Sequence, residues 1–166
     1  IFSLSGTYGG VAWNGTLWVT VGDGGPHSIA TSPDGITWTG RGSTIFTNAR
    51  GVAWNGTLWV AVGGGNGNVI ATSPDGIKWT TRVTSGFFNL GGNCVAWNGI
   101  LWVVGGNSNS GASPHSIATS PDGINWTGRD ITVFYNCRCV TWNGTRWVAG
   151  GGGNGIAIAT SHDGIK

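Results

Sequence analysis

The run Val11-Ala12-Trp13-Asn14-Gly15-Thr16-Leu17-Trp18-Val19 returns at 52–60, at 95–103 with Ile100 in place of Thr, and at 140–148 with Thr141 and Arg146 as changes. A second run, Ser32-Pro33-Asp34-Gly35-Ile36-Thr37-Trp38, returns at 73–79 and 120–126, and in part at 161–166. Four copies of one unit are present, and repetition of this kind constrains the fold more than any single residue does. Each unit is one supersecondary element that must bury its apolar surface on its neighbours.

The punctuation inside a unit reads as strand, turn, strand, loop, strand, turn, strand. Asn14-Gly15 between β-forming residues predicts a two-residue type I′ hairpin pairing 11–13 with 16–21. In Ser32-Pro33-Asp34-Gly35, Pro presets φ, Asp suits the next turn position and Gly takes the left-handed one, joining 28–32 to 36–41. In that register Val11, Trp13 and Trp18 share one face of the hairpin, while Ala12, Leu17, Val19 and Val21 share the other. A sheet that is apolar on both faces must be sandwiched between like sheets.

The first Trp of the unit recurs after 41, 43 and 45 residues (Trp13, Trp54, Trp97, Trp142), a blade-sized spacing. The fold expected is all-β, a β-propeller of four-stranded antiparallel blades, with a segment of a larger ring of about 6–8 blades or a repeat array as the alternative. An open solenoid fits less well, because its coils are shorter and lack two tight hairpins per unit. One domain is expected over 1–166, with repeats at about 5–44, 45–86, 87–132 and 133–166, the last lacking its outer strand.

The repeats alternate. Pro26-His27-Ser28-Ile29 matches Pro114-His115-Ser116-Ile117, and 44–50 matches 132–138. Gly64-Gly65-Asn66-Gly67 instead matches Gly152-Gly153-Asn154-Gly155, and Asp-Gly-Ile-Lys occurs at 75–78 and 163–166. This A-B-A-B pattern implies a duplicated two-blade unit. An outer edge left unpaired in the fourth blade would display free N–H and C=O groups and invite a strand from another chain.

Composition removes several functions. Charged residues make up 8% of the chain against a typical quarter, Glu is absent, and the net charge of +2 is scattered. No basic stripe exists to follow a phosphate backbone, so no nucleic-acid partner is expected. No apolar run approaches the roughly 18 residues of a spanning helix, so no membrane insertion is expected either. The absence of Met points to a processed chain or a slice of a longer one.

The Ser-Pro-Asp-Gly-x-x-Trp runs resemble the Asp-box of sialidase-type propellers, Ser-x-Asp-x-Gly-x-x-Trp, with one residue fewer between Asp and Trp. The resemblance covers the third and fourth strands of three units and part of the last. It implies a non-catalytic folding element between those strands. Sialidase chemistry itself needs three convergent arginines, a Tyr nucleophile with a Glu partner, and an Asp acid. Here Glu is missing, the only tyrosines are Tyr8 and Tyr135, and Arg41, Arg82 and Arg129 fall in one slot of successive repeats.

The remaining chemistry is thin. Asp34, Asp75, Asp122 and Asp163 read as turn residues, leaving Asp23 and Asp130 as the only other carboxylates. His27 and His115 lack a third ligand, so neither metal nor cofactor is expected. The Gly-rich loops have no following Lys-Ser/Thr and helix, as a phosphate cradle requires. The repeat slots explain every one of the 11 Trp as packing, with the outer-strand Trp the best candidates for partial exposure to a sugar.

Asn14, Asn55, Asn125 and Asn143 lie in Asn-x-Ser/Thr sequons and are candidate glycosylation sites. Cys94 is a candidate disulfide partner of Cys137 or Cys139, against the alternative of three small buried residues. Turns should emerge on one end of the blades and variable loops on the other. That second face carries Tyr8, Asp23, His27, Arg50, the stretch 107–113, His115, Tyr135 and Arg138, where contacts to a ligand or partner are expected.

These features predict no enzyme. They predict a structural or scaffolding propeller in an extracellular, cell-surface or virion-associated assembly, self-associating through an open edge strand. The alternative is a glycan-binding lectin with sites between blades or on the loop face.

Overall fold

The computed structural model describes residues 9–23, 25–84, 88, 90–108, 115–130, 133–153 and 155–166. Its strands form four sheets, each a meander in chain order. The first holds β1 (Gly10–Trp13), β2 (Trp18–Val21), β3 (Ile29–Ser32) and β4 (Thr39–Gly40). The second holds β5 (Asn48–Trp54), β6 (Trp59–Gly64), β7 (Asn68–Ser73) and β8 (Thr80–Thr84). The third holds β9 (Gly92–Trp97), β10 (Trp102–Gly106), β11 (His115–Ser120) and β12 (Thr127–Asp130). The fourth holds β13 (Asn136–Trp142), β14 (Trp147–Gly152) and β15 (Ile158–Ser161). All neighbours are antiparallel, and the first strands pack in series, β1 on β5, β5 on β9, β9 on β13. This is the β-propeller fold, with each sheet a blade.

The first hairpin differs from the expected two-residue turn. Trp13 pairs with Trp18, which leaves a four-residue loop. Asn14 Oδ1 accepts from the Thr16 and Leu17 amides at 2.9 and 2.7 Å, and only Gly15 takes a positive φ, +101°. The side-chain oxygen supplies the turn's acceptor, so Asn itself need not enter the left-handed region. The same Asx turn forms at Asn55, Asn98 and Asn143. Because the loop is longer by an even number of residues, every side chain stays on the face expected of it. It also brings the two Trp of each hairpin opposite each other, with ring centroids 5.0 to 5.3 Å apart. Such a pair adds about 0.5–1.5 kcal/mol beyond its burial.

The second turn is held by two side chains. Ser32 Oγ accepts from the Gly35 amide at 2.8 Å and donates to Asp34 Oδ1 at 2.9 Å. Asp34 Oδ1 also accepts from the amides of Ile36 and Thr37, and the Trp38 indole donates to the Gly35 carbonyl. Gly35 sits at φ +75°, the left-handed position expected. Pairing resumes only at Thr39, so the outer strand is shorter than 36–41.

Each interface joins opposite faces of successive blades. Leu17, Val19 and Val21 of the first blade meet Trp54, Trp59 and Trp79 of the second, with Phe46 buried among them. Leu58, Val60 and Val62 repeat this against Trp97, Trp102 and Trp126, with Phe88 buried there. Ile117 packs toward Val140, Ala149 and Ala159, with Phe134. Among the described residues the first and fourth blades do not pack as neighbouring blades do. Val11 is accordingly 59% exposed, whereas its equivalent Val52 is 8% exposed.

Candidate functional site

In the first three blades the outer strand brings an indole and a guanidinium three residues apart. Trp79 and Trp126 fit between blades and donate from Nε1 to the Gly76 and Gly123 carbonyls at 3.1 and 3.0 Å. Arg41, Arg82 and Arg129 each donate from Nε to a Thr hydroxyl on the adjoining strand, Thr31, Thr72 and Thr119, at 2.7 to 2.8 Å. This is why those arginines repeat in one slot.

The fourth blade has the acceptor half of this arrangement. β15 is its outer strand, Thr160 stands where Thr31, Thr72 and Thr119 stand in the others, and Gly164 repeats the turn glycine at φ +75°. Between the third and fourth blades lies a cavity of about 300 Å³ lined chiefly by Val103, Ile117, Trp147, Ala149, Ala159 and Ile165. Its walls match those that enclose Trp79 and Trp126 elsewhere. The edge of β15 and this cavity lie side by side.

Among the described residues the loop-face positions are spread over all four blades and form no single cluster. Tyr8 lies outside the described residues, as does most of 107–113. Asp23 bridges to Asn48 and is half-buried. His27 and His115 lie in different blades, each ring against a glycine of its own outer strand, Gly40 and Gly128. His27 Nδ1 accepts from the Gly42 amide at 2.9 Å, whereas His115 Nδ1 donates to the Arg129 carbonyl at 2.8 Å. Tyr135 is half-buried, its carbonyl accepting from the Ser108 amide and hydroxyl, and Arg138 is exposed.

Arg50 belongs to a polar track through the centre. It donates to Asn93 Oδ1 at 3.1 Å, and Asn93 Nδ2 donates to Asn107 Oδ1 at 2.6 Å and to the Cys137 carbonyl at 2.8 Å, tying the second, third and fourth blades together. Sequence reasoning passed over Asn93 and named Asn107 only as the start of the stretch 107–113. Their signal was present, because Asn93 fills the repeat slot of Arg50 and Arg138.

The turn aspartates are acceptors of backbone N–H groups, which lowers their pKa. The Thr37 and Ile36 amides hold Asp34 down to about 2, and the Ile165 and Lys166 amides do the same for Asp163. Asp75 and Asp122 are lowered by the equivalent amides of Lys78 and Asn125. Such carboxylates are spent on the turn.

Asn14, Asn55 and Asn143 use Oδ1 in the hairpin turn, while Asn125 Nδ2 donates to Asp122 Oδ2 at 2.8 Å. The three cysteines are free thiols, with Cys94 and Cys137 together above Gly105 and Cys139 exposed. The hydrogen bond to Cys137, and then burial, push the Cys94 thiol well above its usual value. Among the tryptophans the exposed one is Trp13, at 41%. Trp38, Trp79 and Trp126 are half-buried, because each folds back on its own turn.

No known family's sequence profile matches the chain, and no curated protein does. Solved structures do match in fold. The computationally designed Ika4 protein has a TM-score of 0.64 at 10% identity, covering 98% of this chain and 93% of its own. A chain of a nidogen/laminin complex has a TM-score of 0.63 at 15% identity over 86% of this chain. YCF48, solved bound to a D1 peptide, has a TM-score of 0.57 at 14% identity over 93% of this chain. The chain spans about half the length of those last two, 54% and 52%.

Proposed function

We propose that this propeller is a non-catalytic assembly module, working in an extracellular, cell-surface or virion-associated structure and self-associating through the open edge of β15. The observation that carries this reading is the unfilled acceptor slot between the third and fourth blades. Its recognition chemistry follows from the filled ones. An incoming strand pairs with β15, places an indole in the cavity, and three residues later offers an Arg to Thr160. β4, β8 and β12 carry such a Trp and Arg but engage them within their own blades, so a second copy would act as donor by exchanging an outer strand. That YCF48 was solved with a peptide and nidogen with laminin supports a partner-binding use of the fold.

The glycan-binding alternative has less to stand on, since the one well-exposed indole is Trp13. The Asp-box resemblance bears on the turns and adds no chemistry of its own.

The test uses a peptide of the sequence 78–84, Lys-Trp-Thr-Thr-Arg-Val-Thr, titrated calorimetrically against the protein, with hydrogen exchange at β15 as the second readout. Binding with protection of β15 amides, lost when the peptide's Trp or Arg is replaced by Ala, is expected. No binding, or binding indifferent to both replacements, rejects the slot.

A further inference from the structure

The junction between the third and fourth blades differs from the other two at one spot. In the first blade Gly10 on β1 pairs across the sheet with Val21, and in the second Gly51 on β5 pairs with Val62. Both valines are fully buried against the next blade, where Ala49 joins the cluster around Val21 and Gly92 lies under Val62. In the third blade the pair is exchanged, and Cys94 on β9 stands opposite Gly105. The facing position, Ala49 or Gly92 at the other junctions, is here Cys137 on β13.

The loss of the valine brings two sulfurs together. A Cβ on Gly105 would stand 2.7 Å from Cys94 Sγ and closer still to Cys137 Sγ, so both thiols occupy the room that a valine fills elsewhere. The two side chains are hydrogen-bonded to each other, and Asn93 Nδ2 holds the Cys137 carbonyl at 2.8 Å. Cys137 is fully buried and Cys94 half-buried. Cys139 is not part of the pair, since its Sγ donates to the Gly150 carbonyl of its own blade at 3.8 Å. Filling volume at this spot needs only one apolar group, as Val21 and Val62 show. Instead three positions change together, Cys94, Gly105 and Cys137, and the product is a dithiol spanning one junction.

We infer that Cys94 and Cys137 form a redox clasp, a disulfide that joins the third and fourth blades in the presence of a peroxide and opens to a thiol reductant. The Cys94 sulfur, the less buried of the two, attacks one peroxide oxygen. The O–O bond breaks, Cys94 becomes a sulfenic acid, and the other oxygen leaves as water with the thiol proton. The Cys137 sulfur then attacks the Cys94 sulfur, the S–O bond breaks, and the hydroxyl leaves as water with the second thiol proton. Two thiols and one hydrogen peroxide thus yield one disulfide and two waters. The bridge closes a loop of roughly 44 residues and so restrains the unfolded chain. It lies on the first strands β9 and β13, so it stands independently of the outer-strand slot at β15.

Treatment of folded Cys139→Ser with hydrogen peroxide tests it, because that variant keeps the pair as its only thiols. Thiol titration in denaturant and intact mass count the sulfurs, and calorimetric melting reads the consequence. Loss of both thiols, a mass lower by two hydrogens and a melting temperature higher by about 5–10 °C are expected, all reversed by dithiothreitol. Cys137→Ala in the same background carries the residue of the second blade at that position, and should fold yet show neither bridge nor rise. Thiols that survive the peroxide, or a mass that rises by oxygen atoms, overturn the clasp. So does a bridge that leaves the melting temperature unchanged or lowered.

Discussion

Leu58 lies directly over Gly123: a Cβ built on that glycine would stand 2.9 Å from the leucine Cδ2, with the buried Trp102 indole at 3.2 Å. The turn glycine is also left-handed, φ +74°. Gly123→Ala therefore combines backbone strain of about 1–2 kcal/mol with overpacking of about 1–3 kcal/mol. Gly144, at φ +101° with open space around it, carries the strain alone. Urea denaturation should show Gly123→Ala to be clearly the more destabilised of the two. Equal losses would mean that the inter-blade contact contributes nothing.

Acid should act on the turns at an unusually low pH. The folded pKa values of Asp34 and Asp163 lie at about 2, below the ordinary 3.8, so the carboxylates favour the fold while ionised. Their stabilisation is present above about pH 4 and is lost as pH falls through the folded value near 2. Melting temperature measured against pH should fall in that window. Asp122→Asn should shallow the fall, because it removes one of the depressed groups.

The thiols should separate by position. Cys139 is exposed and should be alkylated first under native conditions, with Cys94 and Cys137 reacting only on unfolding. Cys94 and Cys137 also lie close enough above Gly105 for an oxidant to join them across the third and fourth blades. Peptide mapping after oxidation should find that pair. A Cys94 to Cys139 bridge would contradict the arrangement.

The hairpin asparagine should matter through its oxygen. Asn55→Ala removes the acceptor of the Thr57 and Leu58 amides at 2.9 and 2.7 Å, and a loss of about 1–2 kcal/mol is expected in denaturation. Asn55→Asp keeps an acceptor and should recover most of it.

The blades, their alternation and both turn positions were legible because each is written several times over, and a repeated glycine or aspartate advertises its geometry. The first turn was misread in detail because Asn-Gly serves either a two-residue or an Asx-closed loop, and only the Trp13 to Trp18 pairing distinguishes them. The residues at the centre were harder to see. Asn93 matters because it differs from Arg50 in the same slot, and repeat comparison rewards sameness. The cavity was invisible, since it is made of what six strands enclose.

The recurring contact of leucine on turn glycine has a consequence for how such a molecule keeps count. Leu17, Leu58 and Leu101 make one and the same contact, and that contact by itself does not record whether a junction is first, second or third. The addresses lie in the irregularities, Asn93, Arg138 and Arg146 among them. A substitution there changes how particular blades meet while leaving the repeated leucine contact intact.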